Sequence, residues 1–360
     1  MPNRGRFAAE LLRSCSRALA AGVAERQEQL QPDLMRTYGA AGSQDLAGDT
    51  EPRLLQLAAA LEVARPALFH DAVSLLKVAH VARDLPVEIL DVNLQCIAEE
   101  IAAQFHDAAA EVAVECLTDA RRHLAQAPSS LPSLLAEDAP HVDLARRYLL
   151  AALEARADDA VTLLTAAFDR GVPVTELHSH VITKVQHEIG RMWLMNEIHV
   201  GEEHVTSQLT SRAMAALDER APRSRRLAGR ALCTSVPGDL HDLGLRSAAN
   251  HLRWAGIDTV VLGASTPLPD LVLAAVDFSP DLLVVSASAT VHVCSAKRTI
   301  ETLRARLETP PPVLVGGRPF EVVPDLWEVI GADATAATGD EAERRAAELI
   351  AKSAARRAAG

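Results

Sequence analysis

From Arg230 to Ala355 the chain alternates short apolar runs with amphipathic ones, and this alternation leaves few architectures open. The apolar runs are Arg230 to Ser235, Asp258 to Gly263, Asp281 to Ser286, Pro312 to Val315 and, more briefly, about Ala332 to Ala336. Each has the length of a strand buried in a parallel sheet, and the runs between them carry the period of a helix. Five such βα units predict a doubly wound parallel sheet, Rossmann-like or flavodoxin-like in class.

In open sheets of this kind ligands bind beyond the carboxyl ends of the strands. Val236-Pro237-Gly238-Asp239-Leu240-His241-Asp242-Leu243-Gly244 occupies such a place, between the first strand and a helix predicted from Leu243 to Ala255. It offers an imidazole, a carboxylate two residues upstream to orient it, and a glycine that lets a bulky partner approach the backbone. Taken alone, the same residues also describe a surface loop beside an N-cap aspartate. Three further turns follow the later strands: Gly263-Ala264-Ser265-Thr266, Ser286-Ala287-Ser288-Ala289-Thr290 and Gly316-Gly317. All are built of small residues.

At 360 residues the chain has room for two or three domains. Its 36 basic and 48 acidic residues give a net charge of −12, with no basic patch to neutralise phosphates, which argues against nucleic-acid binding. The short cluster Arg220, Arg223, Arg225 and Arg226 reads as a solvated linker. Five cysteines, Cys15, Cys96, Cys116, Cys233 and Cys294, form no C-x-x-C pair and predict neither a zinc site nor a disulfide framework. Glu10, Arg13 and Arg17 interrupt Phe7 to Val23, so this run reads as an amphipathic helix and not a signal peptide. No run is long enough to span a membrane, and the expected location is the cytoplasm.

Residues 1–126 read as an all-helical domain, with helices at Phe7 to Leu30, Glu51 to Val63, Pro66 to Val81 and Pro86 to Gln126, and Gly39 to Thr50 as a loop. His70, His80, His106 and His123 lie in these helices and read as core or surface residues rather than ligands. A proline- and serine-containing stretch, Ala127 to Pro140, marks a boundary. Residues 141–218 then predict a four-helix bundle: His141 to Ala155, Ala157 to Arg170, Pro173 to Asn196 and Val200 to Asp218. The sheet domain follows at 229–357. At the last turn of the bundle, Gly190-Arg191-Met192-Trp193 is set close to Gly201-Glu202-Glu203-His204. A bundle tryptophan is usually core, and acids at a helix start are favourable in themselves.

Asp239-x-His241-x-x-Gly244, Ser286-x-Ser288 and Gly316-Gly317 together resemble the signature of base-off, His-on cobalamin-binding domains, with Ser288 where a leucine is usual. The resemblance implies cobalt on His241, Asp239 on the second ring nitrogen, and a slot for the nucleotide tail walled by Gly263, Thr266, Ser286, Ser288, Thr290, Gly316 and Gly317. Trp193 with Glu203-His204 resembles the helical cap of adenosylcobalamin-dependent photoreceptors, which implies contacts of these residues with the upper face. Leu194 departs from that pattern, because the light-responsive regulators often carry there a histidine that captures cobalt after photolysis; His199 and His204 are the substitutes at hand. The organisation is similar to that of photocobilins, which implies a bilin such as biliverdin as a second chromophore, with Cys15, Cys96 and Cys116 as candidate attachment points. The function so implied is that of a light sensor, not an enzyme: a homodimer with a hinge near Asp218 to Leu227 and a downstream signalling protein as partner. A corrinoid methyl carrier of a methyltransferase system is the alternative, and a cobalamin storage or transport module a third.

Overall fold

The computed structural model describes residues 2–33, 42–105, 107–136, 138–222 and 229–359. Packing divides the chain into two units, one of residues 1–130 with 289–294 and 322–326, the other of residues 131–288, 295–321 and 327–360.

The first unit contains α1 (Pro2–Leu30), α2 (Gly42–Glu62), α3 (Ala67–Val81), α4 (Val87–Gln104) and α5 (Asp107–Gln126). The described part of the expected loop at Gly39 to Thr50 is the first half of α2; Gly39 to Ala41 lie outside the described residues. The small and polar residues there favour a turn locally, but Leu46, Leu54 and Leu57 are wholly buried on one helical face. Thr50 belongs to that face: its hydroxyl donates to Leu46 O at 2.8 Å and accepts from Asn93 at 3.0 Å. The single helix expected from Pro86 to Gln126 is two, because Phe105 takes an extended conformation (φ −101°, ψ 147°) and is buried. His106 lies outside the described residues.

In the second unit, α6 (Val142–Leu153) and α7 (Ala157–Asp169) lead to a short helical turn, Val174–Glu176, a π-helical stretch, Leu177–Ile182, and α8 (Thr183–Leu194). The π-helical stretch interrupts what the sequence reads as one regular helix, and such bulges often mark functional positions. It turns Leu177, His178, Val181 and Ile182 inward together. The fourth bundle helix is α9 (Val200–Arg220), and the bundle core is formed by Tyr148, Leu164, Leu177, Ile189, Met214 and Leu217, among others.

Five strands follow: β1 (Arg230–Ser235), β2 (Asp258–Gly263), β3 (Leu282–Ser286), β4 (Val313–Gly316) and β5 (Ala334–Thr335). All neighbours are parallel, in the order β2-β1-β3-β4-β5. The intervening helices are α10 (Leu243–Trp254), α11 (Leu268–Phe278) and α12 (Val293–Arg306); α13 (Gly339–Ala359) closes the chain. Leu245, Ala249 and Leu252 of α10 and Ala346, Leu349 and Ile350 of α13 share one core with Ala231, Val284 and Leu314 of the sheet. Two short helices after β4, Arg318–Val322 and Leu326–Val329, are too brief to announce themselves by periodicity. The doubly wound sheet and the helical regions before it are those expected. No described helix is long and apolar enough to cross a membrane.

Candidate functional site

After β1 the chain returns to one side of the sheet for β2 and then crosses to the other for β3, so the loops after β1 and β3 diverge at a topological switch point. Strand register aligns small residues across these carboxyl ends: Thr234 pairs with Gly263, Ser235 with Ser286, and Ser286 with Gly316. Gly317 follows at φ +118°, and a Cβ there would lie 2.1 Å from Ala287 O. Backbone packs on backbone at that point, and no side chain fits.

Asp239 is wholly buried. Its Oδ1 accepts from the His241 N–H at 3.0 Å and the Ser288 hydroxyl at 2.8 Å, and its Oδ2 accepts from the Ser288 N–H at 2.7 Å. His241 Nδ1 lies 3.1 Å from Asp239 Oδ1 and 3.2 Å from Ser288 Oγ, while the His241 side chain is 78% exposed. The ring is thus held by one edge and presents the other. Burial alone would push the Asp239 carboxyl up, but the bonds from His241 and Ser288 outweigh it and hold the group below the usual carboxylate range. His241 is shifted above its ordinary value, first by its hydrogen bond to Asp239, against desolvation, and further by the charges of Asp239 and Glu203.

The loop itself is tied to the next turn, with the Gly238 N–H donating to Ser265 Oγ at 3.0 Å and the Ser265 N–H to Asp239 O at 3.0 Å. Thr266 follows, half-buried. A Cβ built on Gly244 meets nothing within 4 Å. Thr290 falls in the first unit, where its hydroxyl donates to Leu68 O at 3.3 Å.

On the bundle side, Glu203 is held by Ser207, whose hydroxyl donates to Oε1 at 2.7 Å, and by His204 Nδ1, 2.6 Å from Oε2. Ser207 continues inward through Gln186 to Thr210 and the buried Tyr148 hydroxyl. Glu203 is therefore the outer end of a polar chain rooted in the bundle core. Trp193 stands at the end of α8 with 44% of its surface exposed, unlike an ordinary core tryptophan. The turn between α8 and α9 is fixed by Arg191, which donates to both Glu197 oxygens at 2.9 and 2.6 Å and to the buried Glu188 at 3.0 Å. The motif Gly190-Arg191-Met192-Trp193 names this arginine without revealing its part as the clamp of the turn. His199 caps α9, its Nδ1 accepting from the Gly201 and Glu202 N–H groups, so this nitrogen is engaged, whereas His204 is largely exposed.

In the first unit, Cys96 and Cys116 are buried, and burial pushes their thiols up to about 11 and about 12. Cys15 is partly exposed.

Two models of the B12 binding domain match the chain, one over residues 229–347 and one over residues 144–218. The chain is 29% identical over 218 residues to the HTH-type transcriptional repressor CarH of Myxococcus xanthus, covering 56% of this chain and 71% of that protein. To dimethylamine corrinoid protein 3 of Methanosarcina mazei it is 30% identical over 119 residues, 32% of this chain and 70% of that one. Among solved structures, that of the Methanosarcina barkeri monomethylamine corrinoid protein superposes with a TM-score of 0.52 at 25% identity, covering 58% of this chain and 99% of that chain.

Proposed function

Because the chain belongs to the family of proteins built on a B12-binding domain, we propose that it is a light sensor that holds adenosylcobalamin with cobalt on His241 Nε2. The residues present fit such a group. One imidazole is offered by its free edge, its other nitrogen is held by a buried carboxylate, and the open space at Gly244 admits a wide ring beside the loop. The aligned small residues Gly263, Ser286 and Gly316 leave room for a nucleotide tail.

Bound adenosylcobalamin supplies a cobalt–carbon bond that light can break. The protein's part is to hold His241 in the tautomer with Nδ1 protonated, through Asp239, and to present Trp193, Glu203 and His204 to the adenosyl side. Loss of those contacts biases the bundle relative to the sheet domain, as a switch with differential contacts requires. Residues 223–227 of the expected hinge lie outside the described residues. What supports the sensor reading is Glu203, a carboxylate at the start of α9 that is held by Ser207 and whose charge acts on His241. Similarity to CarH over 218 residues supports the same reading. A homodimer that signals to a partner protein, and a bilin in the helical domain, belong to this proposal as its further elements.

The test is the absorption spectrum of the protein loaded in the dark with adenosylcobalamin and then illuminated. Photoconversion that Trp193→Ala or Glu203→Gln alters supports the sensor; bound corrinoid that is unaffected by light refutes it. The second reading, a corrinoid methyl carrier, is favoured by the superposition with the monomethylamine corrinoid protein, and it predicts demethylation of bound methylcobalamin by a methyltransferase.

A further inference from the structure

Where the π-helical stretch meets the sheet domain, three rings pack together away from water. His178 is wholly buried, His251 is 1% exposed and Trp254 5% exposed. The His178 and Trp254 rings meet edge to face at 4.8 Å, His178 and His251 at 5.9 Å, and His251 and Trp254 at 5.1 Å. His178 Nδ1 pairs with Ser247 Oγ at 3.1 Å, but His178 Nε2 and His251 Nε2 have no hydrogen-bond partner among the described residues. Two buried ring nitrogens without partners are costly, and fold stability alone gives no reason to keep them. A Cβ on Gly339 would lie 2.4 Å from the His251 ring, so the start of α13 closes the cluster from its third side.

The charges around the cluster are unevenly placed. Asp340 Oδ1 lies 3.3 Å from His251 Nδ1, and its Oδ2 accepts from Ser179 of the π-helical stretch at 3.5 Å. Glu343 neighbours Asp340 on α13. On the other side Asp218 of α9 accepts from Trp254 Nε1 at 3.0 Å and lies 3.8 Å from Arg253. The charge that acts on His178 is that of His251.

We propose that His251 is a proton-operated latch between the bundle and the sheet domain: neutral, it packs with His178 and Trp254; protonated, its Nδ1 binds the neighbouring Asp340, draws that carboxylate from Ser179 and frees the π-helical stretch. Burial pushes His178 down to about 3, so it stays neutral, and burial lowers His251 against the pull of Asp340. A histidine kept neutral in this way contributes stability that is present above its unfolded value and is lost as pH falls below it. The latch needs no cofactor and does not depend on the sensor reading.

Hydrogen exchange of the full-length protein without cofactor, at about pH 7.5 and about pH 5.5 and corrected for intrinsic rates, tests it. Protection of residues 174–194 and 243–254 is expected to fall about tenfold at the lower pH while β1 and β3 keep theirs. His251→Gln should abolish that response. Asp340→Asn, at a side chain 63% exposed, should keep the fold and move the opening to lower pH. Equal protection of the wild-type protein at both pH values overturns the proposal, as does an unaltered response in His251→Gln. If His251→Gln does not fold, Asp340→Asn decides: a response identical to the wild type overturns the latch.

Discussion

Ser288 grips both oxygens of Asp239, its N–H on Oδ2 at 2.7 Å and its hydroxyl on Oδ1 at 2.8 Å. A residue at the end of β3 thereby fixes the carboxylate that orients a histidine in the loop after β1. The position that departs from the cobalamin signature, serine in place of leucine, is thus one that bonds directly to the histidine–aspartate pair.

Ser288→Ala removes the hydroxyl and leaves the backbone bond. Corrinoid affinity is expected to fall about tenfold, the usual effect of losing a group that orients a metal ligand. Spectroscopic titration measures it; an unchanged affinity would show that the backbone N–H suffices.

His241→Ala alters an exposed side chain, so thermal stability should stay within about 0.5 kcal/mol of wild type. The spectrum of bound corrinoid should nevertheless lose the His-on form. A spectrum like that of the wild type would remove His241 from the role of axial ligand.

Glu188 illustrates a pH effect outside the site. It is 3% exposed and accepts from Ser133 Oγ and the Leu134 N–H, both at 2.8 Å, and from Arg191. Burial pushes this carboxyl up, but the bonds prevail and its folded value is lowered. Its contribution is therefore present above the unfolded value and disappears as pH falls through the folded one. Glu188→Gln is expected to cost about 1–3 kcal/mol at neutral pH, with the difference closing below about pH 4. Urea denaturation across this range would expose a mistaken sign as a gap that widens in acid.

The buried thiols predict a labelling pattern. In the native protein iodoacetamide should modify Cys15 and Cys294 in preference to Cys96, Cys116 and Cys233, which should react only after unfolding. Mass spectrometry of labelled peptides decides this. Rapid native labelling of Cys96 or Cys116 would instead make them available for a thioether to a bilin.

Gly317→Ala and Gly244→Ala should separate folding from binding. The first forces a Cβ to 2.1 Å from Ala287 O and should cost about 3 kcal/mol or more. The second places a methyl group in open space, with little effect on a denaturation curve beyond the usual small propensity change, but should weaken corrinoid binding. If both variants lost stability equally, the space at Gly244 would not belong to the ligand.

The sheet was legible in the sequence because its strands are continuous apolar runs and its helices keep their period. The Asp239–His241 pair in the loop after β1 was legible because the two residues that bond one another are two positions apart. What escaped was decided at a distance. The helix at Gly42–Glu62 is held by Leu46, Leu54 and Leu57 against a locally turn-like composition. The break at Phe105 and the π-helical stretch at Leu177–Ile182 do not disturb the apolar pattern enough to be read from it. The meeting of His178 with His251 and Trp254 depends on tertiary packing that no local spacing encodes, whereas the Arg191 clamp, with Glu188 and Glu197 three and six residues away, was open to a local reading. The bond from the Thr290 hydroxyl to Leu68 O of α3 joins residues 222 positions apart, which no local pattern announces.

The two motif glycines differ in what they would record over descent. Gly317 is demanded by the backbone that crosses it, so a descendant with no use for a ligand would still need glycine there to fold. Gly244 borders empty space, and such a descendant would be free to place any side chain there. A relative with glycine at the first position and a bulky residue at the second would keep the architecture while having given up its cargo.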